Sequence, residues 1–241
     1  AAFIYLIYGA VLALQFRNRI VPVTETNRRI RVKDALQVTR TDRVFSITLI
    51  GSMICLFGYS HFTSTIAQYM SASPFMEDGT KLFGMMLTLN AVVVLVTQYP
   101  IVHIAKRFSP VLSLIAGNVL ISISLFSLSF FHDLLLIILI VVLFTIGEVL
   151  LFSMMDILID HIARPELKGT YFGAMGFTQL GSVIGPWAGG MLLDAFGAEK
   201  PFFIFSSLAL ATLCGVPFLI AAFRVMEAQK ANIHSENTLN H

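Results

Sequence analysis

Charge is scarce in this chain. Asp, Glu, Lys and Arg together make up 12% of its 241 residues, against roughly 25% in soluble domains. Tryptophan occurs once and cysteine twice. Cys55 and Cys214 both sit inside apolar runs, where lone cysteines pack as small hydrophobes. Neither a disulfide nor a metal site is therefore expected. There is no nucleophile triad, phosphate loop, zinc motif or low-complexity block. An enzyme is not the reading, and no cofactor is expected.

What fills the space is apolar. Hydrophobic residues reach 56% and the mean hydropathy is +0.81. A soluble fold has too little core volume for that content, whereas a lipid-facing surface removes the limit. Seven apolar stretches stand out: Ala1–Phe16, Val44–Met70, Leu82–Ala105, Pro110–Phe131, Leu134–Ile159, Thr170–Leu193 and Pro201–Phe223. The last six are long enough to cross a bilayer, which takes about 20 helical residues. Open strands could not satisfy their backbone in lipid, so the stretches read as helices. The first stretch, without an initiator Met or a basic leader, reads as the end of a helix whose start is missing.

The fold class is therefore all-α: a polytopic membrane helix bundle of six complete spans plus the end of a preceding one. The expected organisation is 1–16 as that end, 17–43 as a basic cytoplasmic linker, 44–223 as the six-helix unit and 224–241 as a cytoplasmic tail. The polar part of the tail, from Glu227 to His241, reads as disordered. Within the linker, Val32, Ala35, Leu36 and Thr39 fall at helical spacing, predicting a short amphipathic helix on the membrane surface.

Basic residues sort sharply when the loops are placed alternately on two sides. One side receives Arg17, Arg19, Arg28, Arg29, Arg31, Lys33, Arg40, Arg43, Lys106, Arg107, Arg164, Lys168, Arg224 and Lys230, which is 14 of the 16 Lys and Arg residues. The other receives Lys81 and Lys200. The positive-inside rule places the first side, and the C-terminus, in the cytoplasm. The basic loop is a topology signal rather than a nucleic-acid surface, and a multi-pass protein of the inner or plasma membrane is expected.

The stretch from Gly147 to Gly190 is more specific. It opens with Gly147-Glu148 and an apolar run to Asp156 and Asp160. It continues through Ala163-Arg-Pro-Glu-Leu-Lys-Gly169-Thr-Tyr-Phe-Gly173 to Gly181-Ser-Val-Ile-Gly185-Pro186-Trp-Ala-Gly189-Gly190. This resembles the C-terminal half of the major facilitator superfamily, most closely its proton-coupled multidrug efflux members. Ala105-Lys106-Arg107-Phe108-Ser109 departs from the family's usual loop, with Lys106 where an acid is common and Ser109 where Gly is. The resemblance implies a missing N-terminal six-helix half, protons and a small-molecule substrate as partners beside the lipid bilayer, and efflux as the direction. Alternating access about a midplane site is the expected mechanism. Symport of a nutrient or peptide on the same fold, and a non-transporting assembly factor, stay open as other classes.

Glu148 sits about 14 residues into its span. A charge at that depth costs at least about 2.5 kcal/mol, so it either takes up a proton or neutralises a cationic substrate, or is held neutral in a helix contact. Thr145, Glu148, Asp156 and Asp160 share one face of the helix. Asp156 and Asp160 are expected to form a cytoplasmic charge network with Arg164, Lys168 or Arg107. His61 joins Glu148 as a coupling candidate because imidazole titrates near neutral pH. Asn90, Asn118, Gln179 and Thr145 are the polar candidates for the cavity, although each could equally tie two helices by a hydrogen bond. Phe152, Met154 and Met155 are candidates for a greasy lining. Gly181, Gly185 and Gly189 form a small-residue stripe for close helix approach, with Pro186 permitting a kink.

The charge sorting makes a topological prediction. Single cysteines at Glu77 and at Ser235 should react differently with a membrane-impermeant maleimide on intact cells, Glu77 labelled and Ser235 protected. Equal labelling would overturn the sidedness.

Overall fold

The computed structural model describes residue 11 and residues 32–76, 78–131 and 133–239. The stretch Ala1–Phe16 apart from Val11, the arginines from Arg17 to Arg31, and Glu77 lie outside the described residues. The bundle is the compact unit that runs from Arg31 onward.

Every regular element among its described residues is helical. These are α1 (Val32–Thr41), α2 (Arg43–Ser60), α3 (Thr65–Ala72), α4 (Gly79–Ala105), α5 (Pro110–Ser127), α6 (Leu134–Ile162), α7 (Lys168–Ala174), α8 (Gln179–Phe196), α9 (Pro201–Leu213) and α10 (Gly215–Leu239). Short 3-10 turns at Pro165–Leu167 and Met175–Thr178 flank α7. The starts have clear causes. Asp42 accepts the Phe45 amide at 3.0 Å to cap α2, and Asp133 accepts the Leu135 amide at 2.9 Å to cap α6. Pro110 and Pro201 open α5 and α9 at the position where a missing N–H costs nothing. Gly197 ends α8 at φ +70°, where a side chain would be strained.

Among the described residues, five helical stretches are long and apolar enough to cross a membrane: Arg43–Ala72, Gly79–Ala105, Pro110–Ser127, Leu134–Ile162 and Pro201–Gln229. The sixth expected span, Thr170–Leu193, is not among them. The 3-10 turn at Met175–Thr178 divides it into α7 and α8, and the glycines and Asp194 of α8 dilute its hydropathy.

Two further spans are interrupted. Between α2 and α3, Ser60 and Ser64 turn back on the carbonyls of Phe57 and Ser60, each at 2.7 Å, and His61 Nδ1 meets Thr65 Oγ1 at 2.9 Å. Such back-bonding bends helices. Between α9 and α10, Pro217 has no N–H for the Leu213 carbonyl, and the helix breaks at Cys214. Beyond the bilayer-length run α10 continues to Leu239. The tail expected to be disordered is thus helical as far as Leu239; its Glu, Ala, Gln, Lys and Leu residues are good helix formers.

Helices α5 and α6 pack most extensively, α4 lies along α6, and α2 sits centrally against α8, α9 and α10. The core runs through Leu56, Ile66, Tyr69, Leu114, Ile121, Leu125, Phe144, Leu151, Leu158, Phe205 and Leu208. Met154 and Met155, candidates for a greasy pocket, belong to this core and are buried.

Three crossings bring helix backbones together. Gly117 of α5 and Gly147 of α6 face each other: a Cβ on either would lie 2.8 Å from the other's carbonyl oxygen. The stripe on α8 packs against α2 and α3. A Cβ at Gly181 would come within 1.9 Å of the Met53 carbonyl oxygen, one at Gly185 within 2.0 Å of Ser60 Oγ, and one at Gly189 within 1.8 Å of Thr65 Oγ1. On α2, Gly58 makes room for Thr212 of α9.

A second, smaller cluster joins α1 to the bundle through Ala35, Val38, Phe45, Leu49, Ile159, Ala163, Tyr171 and Ala174. Ala35 and Val38 point inward, whereas Leu36 is 43% exposed. The face is set by docking on α7 and not by a flat surface alone. The Tyr171 hydroxyl donates to Asp42 Oδ2 at 2.7 Å, while Asp42 Oδ1 caps α2. The same tyrosine ring packs edge-on against Phe45 at 4.8 Å.

Gly181→Ala should disturb the α2–α8 crossing, since its new methyl meets a backbone carbonyl that cannot rotate away. A loss of about 1–3 kcal/mol is typical of such overpacking. Gly190→Ala is the control, because nothing lies within 4 Å of its Cβ position. Thermal unfolding of the two detergent-solubilised variants should show a lowered midpoint for the first alone.

Candidate functional site

The glycine crossing of α5 and α6 leaves the next residue, Glu148, on the side of α6 that faces α2 and α4. Its carboxylate is half-buried. Asn90 of α4 donates its amide to Glu148 Oε2 at 2.7 Å and to Thr145 Oγ1 at 2.9 Å. Thr145 spends its own proton on the Val141 carbonyl at 2.7 Å, so its oxygen is left to accept from Asn90. Tyr59 of α2 lies close to the same carboxylate. Glu148 is thus held by a neutral donor from α4, with the neutral Tyr59 of α2 close by. Hydrogen bonds to a charged group contribute about 1.5–3 kcal/mol each. Among the described residues, no Lys, Arg or His is one of its partners.

A cluster of aromatic rings packs beside this stretch of α6. Tyr59 meets Phe152 edge-on at 4.9 Å and Phe144 in a stack at 6.2 Å. Phe62 stacks on Phe144 at 4.7 Å and lies 6.5 Å from Phe83. Phe144 and Phe152 stand one turn to either side of Glu148, so the helical repeat puts both on its face. Faces of such rings attract cations, and the carboxylate supplies a formal counter-charge.

Further along the same two helices a groove of about 440 Å³ opens between α4 and α6, lined by Leu95, Gln98, Tyr99, Val102, His103, Lys106 and Ser153. Tyr99 and His103 stack across one turn at 6.2 Å.

The other sequence candidates fall elsewhere. His61 is fully buried at the α2–α3 break, its ring edge-on to Phe57 at 4.7 Å, and it makes no hydrogen bond to Glu148. Asn118 is buried at the α5–α9 contact and donates to the Thr212 carbonyl at 2.9 Å, a tie between helices. Gln179 is exposed at the start of α8 and accepts from Ser182 Oγ at 3.0 Å. Of the five charged residues expected in one network, Asp160 pairs with Lys168, and Arg164 reaches the Tyr171 hydroxyl instead. Asp156 and Arg107 are exposed and take no part in that pairing. Among the described residues no three His, Cys, Asp or Glu side chains gather to hold a metal ion.

Tyr59 is the residue that sequence reading missed. It stands beside Gly58 and Ser60 in the most polar stretch of its span, but one tyrosine among six gives no signal until a partner helix is placed against it.

The family description Major Facilitator Superfamily matches residues 1–179 and 48–239. The chain belongs to the major facilitator superfamily. It is 55% identical over 229 residues to the uncharacterized MFS-type transporter YqjV of Bacillus subtilis, covering 95% of this chain and 56% of that protein. It is 30% identical over 154 residues to the uncharacterized MFS-type transporter YdeE of Escherichia coli, covering 62% of this chain and 38% of that protein. It is 33% identical over 137 residues to the multidrug resistance protein MdtH of Proteus mirabilis, covering 53% and 34%. The chain spans about half the length of the first of these. Its bundle is a partial transporter fold of the family, an all-α membrane bundle.

The pairing of Asp160 with Lys168 should matter little, because both side chains are about half exposed and exposed pairs contribute roughly 0–1 kcal/mol. Asp160→Asn should leave the thermal midpoint of the purified protein within a few degrees of the parent. A large drop would mean the pair is shielded from water.

Proposed function

We propose that this chain supplies one half of a proton-coupled secondary transporter that exports hydrophobic or cationic small molecules by alternating access, with Glu148 as its coupling acid. One observation carries the reading: a carboxylate inside the bundle that takes the neutral Asn90 as its donor, with no cationic partner among the described residues, beside Tyr59 and on the helix face of Phe144 and Phe152, against which Tyr59 packs. An acid with a permanent cationic partner would be locked in one charge state. Glu148 has no such partner among the described residues, so proton and cationic substrate compete for one site. The aromatic rings suit a flat, lipophilic compound better than a sugar or peptide, whose many polar groups would be left unpaired. The name of the Proteus mirabilis relative supports this class of substrate.

In the cycle, Glu148 binds a proton from the outside, releases substrate there, and gives up the proton toward the cytoplasm. Each charge moved through 100 mV supplies about 2.3 kcal/mol. The missing N-terminal half completes the cavity, and the loops bearing Lys106, Arg107, Arg164 and Lys168 face the cytoplasm in the inner or plasma membrane. His61, buried against Thr65, is placed to steady the α2–α3 break rather than to exchange protons with Glu148.

The test is Glu148→Gln in the full-length transporter, reconstituted in proteoliposomes with folding checked. Gln keeps the size and both hydrogen-bond acceptors of one oxygen, so the bundle should survive. Proton-driven efflux should fall to near the background leak, more completely for cationic than for neutral compounds, and substrate-dependent proton exchange should vanish. Asp160→Asn should retain most of the flux. Full coupled flux from Glu148→Gln would refute the assignment.

A further inference from the structure

Helix α4 is built unlike its neighbours. Only 11% of its apolar window is buried within the chain, against 39–61% for the other four spans. Its start is pinned: a Cβ at Gly79 would lie 1.7 Å from the Met70 carbonyl oxygen, so α4 leaves α3 in backbone contact. Eleven residues on, Asn90 is joined to Thr145 and Glu148 of α6. Ten residues further, Pro100 lies inside the helix and leaves the Val96 carbonyl without its helical donor, which lets a helix bend. The segment around that proline, Leu95 to Lys106, lines the open groove against Ser153 of α6. α4 therefore has a fixed end, a polar tie at mid-span, and a bendable arm beside empty space.

The tie depends on charge. Asn90 donates to the Glu148 carboxylate at 2.7 Å, and Tyr59 stands close to it. Hydrogen bonds to an ionised acceptor are about twice as strong as neutral ones. When a proton neutralises the acid, or a bound cation takes one of its oxygens, that bond weakens. Asn90 then keeps only the neutral Thr145 hydroxyl.

We infer that Asn90 and Tyr59 are positioning residues that clamp the ionised Glu148 between α4 and α2, and that neutralising this carboxylate frees the arm of α4 to swing away from α6. The inference rests on the proposed role of Glu148 and adds the mechanical step: occupancy of the acid is converted into movement of one named helix. Asn90 is the link because it bridges α4 to both Thr145 and Glu148 of α6.

Other titratable groups near these helices are few. α5 carries none. α2 offers Arg43 at its far start, the buried Cys55, and Tyr59; two residues beyond Tyr59, His61 is turned to Thr65. α6 has Asp156, Asp160 and His161 toward its far end, all exposed. α4 has Lys81 near its start and Tyr99 and His103 around Pro100, with Lys106 just past its end. His103 lines the groove itself and is the group whose titration must be separated from that of Glu148.

The experiment places spin labels at Gln98→Cys and Ser153→Cys in the full-length transporter, with Cys55, Cys214 and any other native cysteine replaced, and measures their distance distribution across pH. The parent should gain a longer-distance population on acidification. Asn90→Leu should hold that population at every pH, with Asn90→Ala read in the same way if the leucine variant folds poorly. Asn90→Gln should restore part of the response. Tyr59→Phe should move the midpoint of the transition, and His103→Gln should leave it in place. A parent distribution insensitive to pH, or a full response in both Asn90→Leu and Asn90→Ala, would overturn the clamp. Flux measured on the same proteins separates the two readings. Lost coupling in Glu148→Gln with no pH response in the parent overturns the clamp and leaves the coupling acid standing. A pH response abolished by Asn90→Leu, in a protein whose Glu148→Gln variant still couples fully, supports the clamp and removes the coupling role.

Discussion

Helices in a bilayer gain nothing from hiding apolar side chains from one another, because lipid tails are just as apolar. Backbone contact is what remains, and in this bundle glycines supply it. Gly117 against Gly147 brings α5 onto α6, and Gly181, Gly185 and Gly189 bring α8 onto α2 and α3. Everything at the candidate site depends on the first of these. Gly147 turns one side of α6 against α5, and the next residue, Glu148, is carried round to meet Asn90 and Tyr59. A bulkier residue at 147 would push the helices apart and with them the geometry of the acid.

The polar groups inside the bundle divide by what they accomplish. Asn118 and His61 bridge elements that are already in contact, one to the Thr212 carbonyl and one to Thr65. Their bonds replace water that the bilayer cannot provide. Glu148 differs in bearing a charge whose value can change while its partners stay. That is why a carboxylate with neutral donors is a better candidate for coupling than a buried ion pair, in which each charge fixes the other.

The breaks in the helices follow from the same scarcity of water. A broken helix exposes carbonyls, and each break here has a local substitute. Ser60 and Ser64 hydroxyls take the carbonyls of Phe57 and Ser60 near the first break, and Asn118 takes that of Thr212 near the second. Gly58 lies beside one break and Gly215 beside the other, so neighbouring helices reach the irregular backbone. Interrupted helices packed inside a bundle retain freedom to bend that a lipid-exposed break could not keep.

Composition and run length were sufficient for the membrane class and for helical spans, because the cost of charge in lipid is paid residue by residue. The stripe at Gly181, Gly185 and Gly189 was legible for a similar reason: small residues four apart make one face whatever lies opposite. The helix break at His61 was not, since serine back-bonding has no pattern that distinguishes it from an intact turn. Which residues of α1 dock on the bundle was not legible, with Val38 inward and Leu36 exposed, because the cluster they join includes Tyr171, far along the chain. The linear chain could name Asn90 and Thr145 as polar residues in spans, but not that they meet at Glu148, and it passed over Tyr59. Which polar side chains share a site is decided by where helices cross, and crossings are set by contacts between residues distant in sequence.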